Sequence, residues 1–240
     1  MTAGLDPEAG AILLVDKPVG WTSFNVVAKV RAALRALTGH RVKVGHAGTL
    51  DPLASGLLVL GTGKCTKLLP GLTDEDKHYI ATLCLGKETP SHDAETEVQR
   101  ERPWAHIDQA ALQAVLRRYT GPLLQRPPSF SAKRFQGERA YHLARAGEAV
   151  ELPPVPVVVH ALHLLAMDGP QVVLDVRCSK GTYIRALARD IGQDLGCGAH
   201  LAALRRTASG QFSVEDARTP EQWSKWLDLW AAGRNKPEGA

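Results

Sequence analysis

The chain has 240 residues, 44% of them hydrophobic and 22% charged, which is enough to bury one substantial core or a core with an insertion. No apolar run approaches a membrane span, and Met1 to Glu8 has neither the basic start nor the apolar centre of an export signal, so a globular cytoplasmic protein is expected. The net charge is +4, and the four cysteines lie far apart without a CxxC pair, which favours reduced thiols and predicts no metal.

In chain order, Ala11 to Val15 reads as a strand and Asp16-Lys17-Pro18-Val19-Gly20 as the turn after it. A helix follows, capped by Thr22 or Ser23, with Val27, Val30, Leu34 and Leu37 at helical spacing and Gly39 as its stop. By its spacing alone, Lys17 is a solvated lysine. Gly45-His46-Ala47-Gly48-Thr49-Leu50-Asp51-Pro52-Leu53-Ala54-Ser55-Gly56 is a loop crowded with small residues, and Asp51 is its only acid. Its glycines allow positive φ or close backbone approach, while Pro52 keeps Asp51 out of helical conformation. Taken alone, Asp51 reads equally as a turn cap and as a constrained functional carboxylate, and His46 equally as a hydrogen-bonded loop histidine. Leu57 to Leu60, ending at Gly61, is a buried strand that carries the loop.

Lys77 to Leu85 alternates as a strand with one buried face, and Tyr79 near its start is by default a core or rim aromatic. Gly86 to Pro103 is polar, acidic and expected to be a loop. Asp108 caps a helix whose apolar stripe is Ala111, Leu112, Val115, Leu116 and Tyr119, ended by Gly121-Pro122. Gln125 to Gly137 mixes prolines, Phe130, Phe135 and the cations Arg126, Lys133 and Arg134, a composition suited to a mobile arm that stacks on or clamps RNA. Tyr141 to Gly147 continues as a short helix, and Pro153 to Pro156 leads out of the insertion. Val157 to Met167 and Gln171 to Cys178 form a hairpin about Asp168-Gly169-Pro170. Ser179 to Thr182 is a tight turn, with Thr182 as cap of a helix lined by Ile184, Leu187, Ala188, Ile191 and Leu195. Arg185 in its first turn opposes the helix dipole, which points to an anionic partner. In the last helix Thr219 is the cap, Pro220 the first residue, and Trp223, Trp226, Leu227 and Trp230 the face that packs on the domain.

The charge is segregated. Lys17 to Leu50 and Gln109 to Gly137 contain no acid, while the acids gather between Asp74 and Glu101 and in both tails. Such a field suits a polyanion such as RNA.

Three of these stretches resemble the motifs of the TruB family of bacterial tRNA pseudouridine synthases. Leu13 to Ser23 is similar to its lysine-proline motif, Gly45 to Gly56 to its catalytic-aspartate motif and Arg177 to Arg185 to its arginine motif, and the similarity runs from about Gly10 to about Val214. The resemblance implies the pseudouridine-synthase α/β (α+β) fold: a mixed, largely antiparallel central sheet, flanking helices and a thumb-like insertion over about 125–152. It implies a catalytic domain over 10–232 between flexible tails, 1–9 and 233–240, with the small PUA-like RNA-binding domain of many relatives absent. The implied activity is isomerisation of uridine to pseudouridine in the T-loop of tRNA, position 55, by a monomer that grips the T-arm stem-loop and flips the base.

No cofactor is implied, because nothing is oxidised and no group is gained or lost. Asp51 would attack the ribose C1′ or the base C6, or assist elimination at the sugar. By the same resemblance Arg185 holds Asp51 ionised, Tyr79 stacks on the uracil and removes the C5 proton, and His46 fills the gap left by the base. Lys17, Gly48, Thr49, Leu50, Phe130, Lys133, Arg134, Lys180, Tyr183, Leu204 and Arg205 are the implied substrate contacts. The sequence departs from the family at Thr89-Pro90-Ser91-His92-Asp93-Ala94-Glu95-Thr96, which lacks a closing glycine and leaves Asp93 without an assigned role, and at Phe130, where relatives commonly have tyrosine. Two other classes bear weighing. A glycoside hydrolase would need a second acid, which the three motifs lack, and a non-catalytic RNA-binding module would not need Asp51 in a constrained loop.

Overall fold

The computed structural model describes residues 9–131, 134–135, 138–146 and 152–234. The elements follow the expected order. Strand β1 (Ile12–Lys17) leads to helix α1 (Ser23–Thr38), then β2 (Val44–Ala47), β3 (Ala54–Thr62), α2 (Leu69–Asp74) and β4 (Lys77–Leu85). Next come β5 (Lys87–Glu88), β6 (Arg100–Glu101), α3 (Gln109–Arg118), β7 (Gly121–Gln125), β8 (Arg134–Phe135), β9 (Glu138–Arg139) and α4 (Ala140–Arg145). The chain ends with β10 (Val155–Asp168), β11 (Gln171–Cys178), α5 (Ile184–Asp194), β12 (Ala199–Ser209), β13 (Phe212–Ser213) and α6 (Pro220–Arg234). The architecture is mixed α/β on a mostly antiparallel sheet with flanking helices, as expected.

The chain divides into two units, residues 1–77 with 205–240 and residues 78–204. In the first, β3 pairs antiparallel with β1, from Ile12 opposite Gly61 to Lys17 opposite Gly56, and with β2. Helix α1 is set by its cap: Thr22 and Asn25 form a capping box, and Gly39 closes the C-terminus with its N–H on the Arg35 carbonyl. Val26, Val27, Val30 and Leu34 then face Leu13, Val15, Leu58 and Leu60 in a core closed by Trp223 and Leu227 of α6. Each such buried aliphatic contributes about 1.5–3 kcal/mol. The Trp223 indole donates to the Leu14 carbonyl at 2.8 Å, and the Arg218 guanidinium lies 5.0 Å from its ring centre. Helix α6 thus packs on its unit as expected; the side chain of Trp230 is outside the description.

The second unit orders its strands β4-β11-β10-β7. The long hairpin β10–β11 turns where Asp168-Gly169-Pro170 predicted, with Asp168 opposite Gln171. Helix α3 starts on Asp108, whose carboxylate accepts from Ala111 N–H at 2.7 Å; it buries Leu112, Val115 and Leu116, while Ala111 itself stays exposed. The stretch 86–103, expected to be loop throughout, contains the short ladder β5–β6. None of the four cysteines is joined in a disulfide among the described residues, and three of them are buried. Among the described residues no helix is long and apolar enough to cross a membrane.

Residues 1–8 and 235–240 lie outside the described residues, and α6 runs to Arg234, so Gly233 is helical rather than part of a tail.

Candidate active site

In the first unit, the six residues from Gly48 to Leu53 join β2 to β3 and hold Asp51 between two clamps. On one side the buried Ser23 hydroxyl accepts from Leu50 N–H at 2.9 Å and donates to the Leu50 carbonyl at 3.1 Å. On the other, Gly20 N–H donates to the Pro52 carbonyl at 2.8 Å. A third bond, Ala54 N–H to the Asp51 carbonyl at 3.0 Å, closes the turn itself. The neighbours of Asp51 on both sides are therefore fixed by Gly20 in the turn after β1 and by Ser23, the first residue of α1. Ser23, weighed in the sequence as an alternative helix cap, serves the loop instead; Thr22 is the cap.

Lys17 corrects its reading as a solvated lysine. It is 0% exposed, and its ammonium donates to the carbonyls of Pro18 at 3.0 Å and Trp21 at 2.6 Å. Burial lowers its pKa from 10.5 to about 8, with the charge of Asp51 opposing the shift and that of Arg206 adding to it. Arg206, also buried, donates Nε to the Leu57 carbonyl at 2.7 Å and an Nη to the Gly48 carbonyl at 3.2 Å, tying the loop's start to the strand after it. Gly56 has φ +98°, and a Cβ there would stand 2.2 Å from the Arg206 carbonyl oxygen, so only glycine permits this approach.

His46 ends up half-buried, with its pKa lowered by burial and then by Arg206, which keeps the imidazole neutral. Its Nδ1 is buried and makes no hydrogen bond among the described residues. Arg205, read as a substrate contact, gives both its Nη groups to the Asp16 carboxylate, at 3.0 and 2.9 Å. The arginine that reaches the aspartate loop is its neighbour Arg206, to which the sequence reading gave no role.

In the second unit, Arg185 is the second residue of α5 and is buried. Its guanidinium donates to the carbonyls of Phe130 at 2.7 Å and Ser91 at 3.2 Å and lies 3.5 Å from the Asp93 carboxylate. Asp93 is 1% exposed and accepts from the Ser91 hydroxyl at 2.5 Å and from Glu95 N–H at 2.9 Å. The acid left without a role in the sequence is thus a buried counter-charge of Arg185, held without the family's closing glycine. The expected cap Thr182 instead donates its hydroxyl back to the Ser179 carbonyl at 2.9 Å. The residue at the start of α5 is Tyr183, without a side-chain cap, and its backbone is held by Gln125, whose side chain accepts from Tyr183 N–H at 2.8 Å and donates to the Tyr183 carbonyl at 3.1 Å.

Tyr79 is buried on the inward face of β4 with Ala81 and Leu83. The Phe130 ring packs edge-on against Tyr141, with centroids 6.2 Å apart. Lys180 is exposed, Tyr183 and Leu204 are half-exposed, and in the first unit Thr49 is exposed while Leu50 is buried. Lys133 lies outside the described residues, and for Arg134 only the backbone of β8 is described.

Residues 35–184 match the family model of the TruB family pseudouridylate synthase N-terminal domain, and residues 185–237 that of the tRNA pseudouridylate synthase B C-terminal domain. The chain is 48% identical over 225 residues to the tRNA pseudouridine synthase B of Parabacteroides distasonis, covering 93% of this chain and 96% of that protein. It is 50% identical over 222 residues to the one from Thermobifida fusca, covering 89% and 74%. Among solved structures, a Cbf5-Nop10-Gar1 complex matches with a TM-score of 0.72 at 28% identity, over 96% of this chain and 58% of that one. An H/ACA RNP bound to a substrate RNA containing 2′-deoxyuridine matches with a TM-score of 0.67 at 26% identity, over 94% and 56%. With a matching family model over most of its length and relatives near half identical over nearly all of it, the chain belongs to the TruB family of pseudouridylate synthases.

Proposed function

We infer that the protein isomerises uridine to pseudouridine in tRNA, at position 55 of the T-loop, working as a monomer in the cytoplasm without a cofactor. The observation that carries this reading is the double clamp on the Asp51 loop, Ser23 on Leu50 and Gly20 on Pro52, in a chain of this family. Such a loop holds a carboxylate at a defined place, as a reaction with one acid and no metal requires. The buried, cationic Lys17 is close enough to interact with Asp51 and favours its carboxylate form.

In the reaction the N1–C1′ bond breaks, the uracil turns, C5 bonds to C1′, and C5 gives up its proton while N1 takes one. Asp51 serves as the carboxylate, by attack at C1′ or C6 or by assisting elimination. Tyr79 stacks on the uracil and accepts the C5 proton, and Arg185 supports the ionised carboxylate. His46, half-buried and neutral, fills the place that the uridine leaves when it is flipped out. The insertion about Phe130 acts as the thumb on the T-arm, with Lys180 and Tyr183 as further RNA contacts.

A flipped uridine costs least where it is already unpaired. An isolated T-arm hairpin should therefore be modified within about tenfold of the rate on full tRNA, or about 1.4 kcal/mol of barrier. Pseudouridine mapping on both RNAs decides it: modification of full tRNA with none in the hairpin would contradict the T-arm reading.

A further inference from the structure

The second unit holds a cavity of about 540 Å³ that the chemistry above does not use. Its wall carries three arginines, Arg100, Arg102 and Arg189, together with His92 and Glu88. Arg100 of β6 and Arg102 just beyond it share the Glu88 carboxylate at 3.7 and 3.6 Å, the distances of loose ion pairs rather than hydrogen bonds. Arg189 of α5 gives Nε to Asp190 at 2.7 Å and an Nη to the Arg126 carbonyl at 3.1 Å, which fixes its plane. Nearby Lys87 and Glu101 pair with each other at 3.7 Å and add no net charge. Among these described residues, three guanidinium groups set against Glu88 and Asp190 leave a surplus of positive charge.

His92 is the one non-glycine residue with positive φ among the described residues, at 60°. Its backbone is pinned there, N–H to the Thr89 carbonyl at 3.1 Å and carbonyl to Leu201 N–H at 3.0 Å. Backbone strain of this kind persists where a fold must aim a group. The turn sends Ser91 and Asp93 to Arg185 and leaves His92 on the cavity wall. Burial, then the charges of Arg189 and Arg185, bring its pKa down to about 4, so at neutral pH the imidazole is an uncharged hydrogen-bonding group.

We propose that this cavity is a phosphate subsite that takes a backbone phosphate of the RNA substrate, with the guanidinium groups of Arg100, Arg102 and Arg189 as donors and His92 beside them. The proposal rests on the tRNA reading above. Guanidinium forks match phosphate oxygens; Arg102 also gives an Nη to the Gly196 carbonyl at 3.3 Å, and Arg100, loosely held by Glu88, can turn to phosphate without stranding a buried charge.

The test is tRNA binding across a salt series by the full-length protein and by Arg100→Gln, Arg100→Gln/Arg189→Gln and Lys225→Gln, with pseudouridine formation followed in parallel. The Arg100 side chain is 63% exposed, so its replacement leaves the fold intact. Both arginine variants should bind tRNA more weakly, with the slope of log K against log salt reduced by about one, while Lys225→Gln on α6 keeps the wild-type slope. Wild-type slopes in both arginine variants, beside a wild type that makes pseudouridine, overturn the proposal. A wild type that makes no pseudouridine overturns the tRNA reading instead. If inorganic phosphate raises the melting temperature of the wild type but not of the double variant, and the RNA slopes stay unchanged, the cavity is a site for a free anion and the RNA assignment is lost.

Discussion

Replacing Asp93 by asparagine removes a carboxylate that is 1% exposed and lies 3.5 Å from the Arg185 guanidinium, itself 6% exposed. Were this pair on the surface, its loss would cost under about 1 kcal/mol. Buried, the pair is desolvated, and removing one member of such a pair costs roughly 3–5 kcal/mol. Asparagine keeps the shape and an acceptor for the Ser91 hydroxyl and Glu95 N–H, so the lower end, about 3 kcal/mol, applies. For a chain of this size each kcal/mol shifts the melting temperature by about 2–4 °C, so a drop of roughly 6–12 °C is expected. Thermal unfolding of the wild type, Asp93→Asn, Arg185→Gln and the double variant measures both the loss and the coupling. The double variant should lose clearly less than the sum of the singles. A drop below about 2 °C with additive losses would mean that Asp93 is not the counter-charge of Arg185.

Two further outcomes follow from the same geometry. The folded pKa of Lys17, about 8, lies below its ordinary 10.5, so between those pH values the unfolded chain binds more protons and stability rises with pH through that window. Relative to Lys17→Met, the wild type should gain up to roughly 3 kcal/mol from pH 8 to 10.5 in urea unfolding, and a flat difference would show that the ammonium is not desolvated. Tyr79→Phe keeps an aromatic ring on β4 but lacks the proton acceptor, so the reaction should stall after the glycosidic bond breaks; full turnover by rapid-quench assay would remove Tyr79 from the chemistry.

What could be read from the sequence was local. The helix α1 announced itself through Thr22, the spacing of Val27, Val30 and Leu34, and Gly39, because caps and a period of 3.6 need only near neighbours. The β10–β11 hairpin did so through its turn residues. What escaped was set by partners distant in the chain. Ser23 meets Leu50 across 27 residues, Gln125 holds the Tyr183 backbone across 58, and Arg185 reaches Ser91 across 94. No periodicity encodes such pairs. Lys17 was misread although its acceptors are near in sequence: its four-carbon stem is covered by the fold, and its ammonium is satisfied by two carbonyls that become acceptors only once the turn to Trp21 has formed. Asp51, by contrast, stood out because the loop around it spends glycine and proline on holding one acid, and the structure adds the bonds that fix it.

The account turns on Asp51 as the reacting carboxylate, and Asp51→Asn tests it most directly. The substitution leaves the clamps on Leu50 and Pro52 in place, since both are made through backbone atoms of the neighbours. Single-turnover assays with tRNA and parallel binding titrations should show pseudouridine formation abolished and affinity within a few-fold of the wild type. Pseudouridine formed at the wild-type rate by Asp51→Asn, or turnover and binding lost together, would contradict the assignment.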